Sequence, residues 1–204
     1  KKMLYFFDDQ SNQRVLYNTF DVTSLVQKAE NTVGVLLGNG WYNQRDRTVE
    51  GCMWYDTPRL LCQLEIEYTD GSTELVVTDD SWKTTTGPLL HDAIFTGEEY
   101  DARLELDGWN RNGYKDSSWK KALLVRAPKG SLHAQLAPHE KIIRILQPVS
   151  CEQKDDSTYW YAFPEMISGW AHIKVQGNAG DRIKLRFVGE EKNDFGQVDL
   201  YTLR

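Results

Sequence analysis

Residues 32–68, TVGVLLGNGWYNQRDRTVEGCMWYDTPRLLCQLEIEY, set the tightest limits on what this chain can fold into. At the end of the stretch Cys62, Leu64, Ile66 and Tyr68 alternate with Gln63, Glu65 and Glu67. A period of two describes a strand with one buried and one wet face. At the start, an apolar run (Val33, Val35, Leu36, Leu37) stops at Gly38-Asn39-Gly40, where glycine opens backbone angles closed to other residues. Two strands are therefore expected to hold a long loop carrying Trp41, Tyr42, Arg45, Asp46, Arg47, Glu50, Trp54, Tyr55 and Asp56. Loops of that length inside compact domains are functional or disordered, and the aromatic content argues against disorder.

The flanking sequence repeats the strand-and-turn grammar. Leu4 to Phe7 and Val15-Leu16-Tyr17 are short apolar pieces either side of a polar turn. Residues 21–28 predict a short helix with Asp21 as its N-cap. Thr69-Asp70-Gly71-Ser72 is a hairpin signal, with residues 73–78 as the returning strand. Asp79-Asp80-Ser81-Trp82-Lys83 and Asp116-Ser117-Ser118-Trp119-Lys120 look alike: an acid or Ser turns the chain and the Trp anchors the next strand to the core. Residues 97–103 are charged without a clean period, and 107–113 are loop-like. Composition shifts at Ala127-Pro128-Lys129-Gly130 and Ala137-Pro138-His139-Glu140. Beyond it, 141–149 and 158–163 predict strands, and 171–176 and 182–188 predict a hairpin turning at Gly177 to Asp181. These signals give an all-β, jelly-roll-like sandwich over residues 1–140 and the beginning of a second, incomplete β-sandwich over 141–204, with very little helix.

Composition narrows the partners. A net charge of −6 without a Lys/Arg cluster disfavours nucleic acid, whose phosphates require a basic footprint. No apolar run approaches the ~20 residues of a membrane helix, and Lys1-Lys2-Met3 does not begin a signal peptide. Of Cys52, Cys62 and Cys151, Cys62 falls on the apolar face of its strand and reads as a buried thiol. A Cys52–Cys62 disulfide has only proximity in its favour, so the sequence leaves the redox compartment unread.

Taken in order, Thr19-Phe20-Asp21-Val22-Thr23, the run from Glu30-Asn31 through Leu37-Gly38-Asn39-Gly40-Trp41-Tyr42, Leu64 to Ser72, Asp80-Ser81-Trp82-Lys83, Thr86-Gly87-Pro88, Gly97-Glu98-Glu99-Tyr100-Asp101-Ala102-Arg103, Trp109 and Asp116-Ser117-Ser118-Trp119 carry a family likeness. Over about residues 13–204 the chain resembles the N-terminal β-sandwich domain of bacterial α-L-rhamnosidases and, after residue 140, the start of the β domain that follows it. That resemblance implies a multidomain glycoside hydrolase in which a second β domain follows and an (α/α)6 barrel of the same polypeptide carries the catalytic carboxylates. The parent would release terminal α-L-rhamnose with inversion, one acid protonating the leaving oxygen while a carboxylate activates water. The chain departs from the family where Ala162-Phe163-Pro164-Glu165-Met166-Ile167-Ser168 precedes Gly169-Trp170. It also lacks an upstream strand region with an Asn-Gly turn, so it is expected to begin inside its first domain.

No catalytic residue is expected in this chain. The barrel's acidic motif is absent, and Asn43-Gln44-Arg45-Asp46-Arg47 is only a faint likeness in the wrong context. The acid doublets Asp79-Asp80, Glu98-Glu99, Asp155-Asp156 and Glu190-Glu191 read as solvated turns, and in a strand adjacent residues point to opposite faces. His91, His133, His139 and His172 show no metal-ligand spacing with the cysteines. Some rhamnosidase sandwiches bind rhamnose with a calcium ion, which takes six to eight hard oxygens. In the central loop Asn39 and Asn43, with Trp41, Tyr42 and Trp54 as stacking platforms, are the candidate carbohydrate-binding residues. Asp46, Glu50 and Asp56 are the candidate calcium ligands. The competing reading is that Trp41 and Trp54 cap the sandwich against the catalytic domain, aromatics being enriched at interfaces as well.

Overall fold

The computed structural model of the chain describes residues 2–4, 14–40, 42–44, 53–54, 57–138, 140–189 and 194–204. The all-β expectation is met: strands are the repeated element, and the helical content of the described residues consists of two single 3-10 turns.

The first sheet is built around the hairpin that the alternating sequence and the Asp-Gly turn predict. Strand β5 (Cys62–Glu67) and strand β6 (Thr73–Val77) pair antiparallel, with Glu67 opposite Thr73 and Gln63 opposite Val77. The turn closes because the Asp70 carboxylate accepts from the Ser72 amide (2.9 Å) and hydroxyl (2.6 Å), while Gly71 takes the left-handed conformation at φ +83°. Leu64 and Ile66 are half-buried and Glu65 and Glu67 exposed, so the period of two is kept. Cys62 is a half-buried reduced thiol, less covered than its place on the apolar face predicts; Cys151 is reduced and exposed. Strands β1 (Lys2–Leu4), β2 (Arg14–Thr19) and β11 (Ser131–Ala134) complete the sheet in the order β11-β2-β1-β5-β6, with β11 parallel to β2. Val15 of β2, 3% exposed, is the most covered aliphatic side chain among the described side chains of this sheet.

The second sheet takes strands from both sides of residue 140. Strands β8 (Leu89–Ala93) and β9 (Gly97–Asp101) form a hairpin, and β14 (Arg182–Val188) pairs with β15 (Asp194–Thr202). Strand β15 lies parallel to β9, with Leu200 opposite Glu99 and Thr202 opposite Asp101, giving the order β14-β15-β9-β8. Ala102 and Leu203, at the end of this pairing, are the other two fully buried apolar residues among those described.

The two look-alike segments meet in space. Strand β7 (Lys83–Thr84) pairs antiparallel with β10 (Lys120–Lys121), and the Ala122 amide donates to the Trp82 carbonyl at 2.8 Å. Lys83 Nζ reaches Asp116 at 2.6 Å, so the second segment's turn acid binds the first segment's lysine. Trp119 packs on Trp109 (6.5 Å between ring centres) and, edge-on, on Tyr114 (5.7 Å), as expected of an anchor. Strands β12 (Ser150–Gln153) and β13 (Tyr159–Ala162) form a separate ribbon, matching the strand expected over 158–163.

Four expectations are corrected. The helix over 21–28 shrinks to one 3-10 turn, Thr23–Leu25, because the Asp21 carboxylate bonds the Thr23 amide (2.9 Å) and hydroxyl (2.7 Å) and so closes a local turn in place of a helix start. The apolar run 33–37 forms no ladder; side-chain bonds hold it, with Thr32 Oγ1 on Asn112 (2.5 Å) and Gly34 pressed beneath the Trp109 ring. Residues 97–101, read as aperiodic, are strand β9, with Gly97 and Asp101 buried. Finally, β14 pairs with β15, while 171–176 and 141–149 form no strand.

Candidate functional site

The central loop departs from β8 through one side chain. The Asn39 amide donates to both carboxylate oxygens of Asp92, at 2.8 and 3.1 Å. Asn39 Nδ2 donates to the Asp92 carbonyl at 2.9 Å and also to its carboxylate. Asn43 Nδ2 in turn donates to Asn39 Oδ1 at 2.7 Å, and the Asn43 amide to the Asn39 carbonyl at 3.1 Å. The glycines make room for this knot: a Cβ on Gly38 would stand 2.6 Å from Asp92 Oδ2, and Gly40 sits at φ +49°. Past it the loop becomes a two-residue ribbon, β3 (Asn43–Gln44) against β4 (Met53–Trp54), with Asn43 opposite Trp54.

Asn39, Tyr42 and Asn43 are thus gathered on one turn, and the Trp54 backbone lies across from Asn43. The side-chain amide of Asn39 is fully engaged in holding the loop. Asn43 Oδ1 is buried and has no hydrogen-bond partner among the described residues. The Trp54 side chain and Trp41, Asp46, Glu50 and Asp56 lie outside the described residues. Among the described residues no group of three or more His, Cys, Asp or Glu is placed to hold a metal ion.

Beside the knot lies an acidic step that sequence reasoning missed. Glu98 on β9 is opposite Asp92 on β8, and the Glu98 amide donates to Asp199 Oδ1 on β15 at 3.0 Å. Burial, then Asp199, then Asp92 raise the Glu98 carboxyl above its ordinary 4.5. Its doublet partner Glu99 binds Arg182 at 2.9 Å, so the two acids serve different neighbours, as opposite faces of a strand require. Nothing in a Leu-Leu-His-Asp-Ala run distant from Asp199 signals this meeting. The raised value means that the folded state holds the Glu98 proton more tightly than the unfolded chain. Stability from this group is therefore present at acid pH and lost as pH rises from 4.5 through the folded value. Glu98→Gln is expected to raise the neutral-pH Tm slightly, by up to about 1 kcal/mol of stability once solvent screening is allowed for, and to leave the Tm at acid pH unchanged. Thermal melts of both proteins across pH check this.

At the other end of β9, ion pairs tie the last residues to the 3-10 turn Ala102–Leu104. Arg204 Nη1 bridges Glu105 (2.9 Å) and Asp107 (2.8 Å), and Arg103 grips Asp101 through two nitrogens at 2.9 and 2.7 Å. Tyr100 stacks on Tyr201 and donates to Glu105 at 3.0 Å; burial and that carboxylate push its hydroxyl up to about 12. These groups neutralise one another and fix the strand pairing.

Fold and loop together define an all-β scaffold that presents loops from its sheet ends. The solved α-L-rhamnosidase from Dictyoglumus thermophilum matches all of this chain with a TM-score of 0.83 and 33% identity, over 25% of its own length. The Streptomyces avermitilis α-L-rhamnosidase solved with L-rhamnose matches 95% of this chain, TM-score 0.82 and 26% identity, over 20% of its length. A curated α-L-rhamnosidase from Alteromonas sp. (strain LOR) is 34% identical over 189 residues, which is 90% of this chain and 20% of that protein. Residues 8–144 match the model of the α-L-rhamnosidase N-terminal domain. The chain belongs to that family, and it spans about a fifth of the length of the curated relatives it matches.

Proposed function

We propose that this chain is a noncatalytic supporting domain of an α-L-rhamnosidase-type glycoside hydrolase, covered in use by other parts of a longer polypeptide. The parent's reaction would be hydrolysis of terminal α-L-rhamnosides with inversion, carried out by an (α/α)6 domain of the same polypeptide. One observation carries this reading: among the described residues many large apolar side chains stand exposed, Leu123, Leu124, Leu136, Ile143 and Ile145 among them. Surface of that character supports a scaffold that docks against neighbours better than it supports a free-standing enzyme. The test is turnover of a chromogenic α-L-rhamnoside by the full-length polypeptide and by this chain alone. Activity in the first and none in the second is expected; turnover by this chain alone would refute the assignment.

A second reading, a carbohydrate-binding module that takes rhamnose-containing glycan with or without calcium, draws support from the buried Asn43 Oδ1 beside Tyr42, which has no hydrogen-bond partner among the described residues. Asn39 would then act by holding the loop, since its amide is engaged with Asp92. Calorimetric titration with L-rhamnose, with and without Ca²⁺, decides it. Saturable heat supports binding; no heat and no change in Tm removes it.

A further inference from the structure

We propose that Asn112, which precedes Gly113 in an exposed turn, is a site of spontaneous modification at which the side-chain amide is lost, and that Asp92 protects Asn39, which precedes Gly40, from the same reaction. Asparagine is a thermolabile side chain, because the main-chain nitrogen of the next residue attacks its side-chain carbonyl carbon. Glycine as that next residue leaves the approach open and lets the backbone take the angles that ring closure needs. Asn39-Gly40 and Asn112-Gly113 are the two Asn-Gly pairs of the sequence. At position 112 the Gly113 nitrogen gives its proton to a solvent base and bonds to Asn112 Cγ. The Cγ–Nδ2 bond breaks, and Nδ2 takes up a proton and leaves as ammonia. Water then opens the cyclic imide: attack at Cγ leaves an aspartyl residue, attack at the main-chain carbonyl carbon an isoaspartyl link. Nothing is oxidised or reduced.

The surroundings of Asn112 favour the attack. Asn112 and Gly113 are both exposed, in a turn closed by the Tyr114 amide on the Arg111 carbonyl at 3.4 Å. Gly113 stands at φ +77°, with nothing within 4 Å of a Cβ placed on it. Its amide donates to no described residue, so the attacking nitrogen has neither cover nor a bond to give up. Thr32 Oγ1 donates to Asn112 Oδ1 at 2.5 Å. Negative charge gathers on that oxygen as the nitrogen adds, so the contact that orients the side chain also stabilises the addition. Asn112 Nδ2 donates to the Glu30 carbonyl.

Asn39 is the opposite case. It is half-buried, its amide donates to both Asp92 carboxylate oxygens, and its Nδ2 donates to the Asp92 carbonyl and carboxylate. Loss of Nδ2 there would break both of its bonds. The full negative charge of Asp92, at hydrogen-bond distance, also opposes the charge that the attack builds, and it outweighs the one neutral donor on Oδ1, Asn43 Nδ2. The product at position 112 undoes a clasp. An aspartyl side chain has no donor for the Glu30 carbonyl and sets a carboxylate oxygen against it, so residues 30–32, which run on to the Gly38-Asn39 knot, lose a tie to the 108–113 turn.

Peptide mapping by mass spectrometry tests the proposal on the full-length polypeptide, held folded at mildly alkaline pH beside a sample unfolded in urea. Aspartyl and isoaspartyl forms are expected at position 112 at least about tenfold faster than at position 39 in the folded sample, and at similar rates in the unfolded one. Equal rates in the folded sample, or faster conversion at 39, overturn the proposal. So does an unchanged Asn112 after the unfolded sample has converted there. Asp92→Asn keeps an acceptor beside Asn39 and removes the charge; it is expected to speed conversion at 39 and leave the rate at 112 as it was. A folded Asp92→Asn protein in which Asn39 stays as slow as before overturns the role given to Asp92, and the comparison of the two sites in the unaltered protein stands whether or not that variant folds.

Discussion

Gly97→Ala is expected to cost this chain about 4 kcal/mol, the largest effect of any glycine-to-alanine change among the described residues. Two terms add. Gly97 sits at φ +100°, where a side chain is strained by roughly 1–3 kcal/mol. The new Cβ would also stand 2.1 Å from the Val198 carbonyl oxygen and 2.6 Å from its carbon. Those atoms are backbone of β15 and cannot swing aside, so the strand must shift, at a further ~1–3 kcal/mol. Gly71→Ala is the control: its φ of +83° is similar, but nothing lies within 4 Å of the added Cβ. It should cost only about 1 kcal/mol. Urea melts of the two variants check the difference, and equal midpoints would contradict the close approach of β9 and β15. Against a typical total stability of ~5–15 kcal/mol, the Gly97 change is enough to unfold a marginal domain.

Asp92→Ala should be the next most damaging, at about 2 kcal/mol, or a Tm roughly 4–8 °C lower. The substitution takes the acceptor from the Asn39 amide and one acceptor from its side chain, leaving part-buried donors unpaired. A double-mutant cycle makes the test specific. Gly38→Ala should be costly in the parent sequence, because its Cβ would press on Asp92 Oδ2 at 2.6 Å, and nearly free once that carboxylate is gone. Additive effects would show that Gly38 and Asp92 do not meet. If the loop binds sugar, both single variants should weaken that binding as well.

How much of this was legible in the sequence depends on where the bonds that make each element come from. The β5–β6 hairpin was readable because its alternation and its Asp70-Gly71 turn are local. The twin Trp-Lys segments were legible as anchors, but their pairing through β7 and β10 was not, since likeness alone does not specify contact. Strand β9 was missed because Glu98, Glu99 and Asp101 break the apolar alternation; Arg182 and Arg103 pair with the carboxylates of Glu99 and Asp101, and the Glu98 backbone amide is held by the distant Asp199. Residues 33–37 and 171–176 failed in the other direction. Their pattern states a strand's preference, but a ladder needs a second chain segment beside it. At the central loop the sequence singled out Asn39 and Asn43, and their arrangement turns on Asp92, a residue with nothing in its surroundings to mark it.

The parallel seam between β9 and β15 has a consequence for synthesis. Glu98 and Asp199, joined across it, are 101 positions apart, and contacts between such distant residues form late. A ribosome that has finished the β8–β9 hairpin must make about a hundred more residues, at ~5–20 per second, before the matching edge emerges. For those seconds the hairpin's open side is available to any other strand, and a chaperone that shields it there should raise the yield of correctly folded protein.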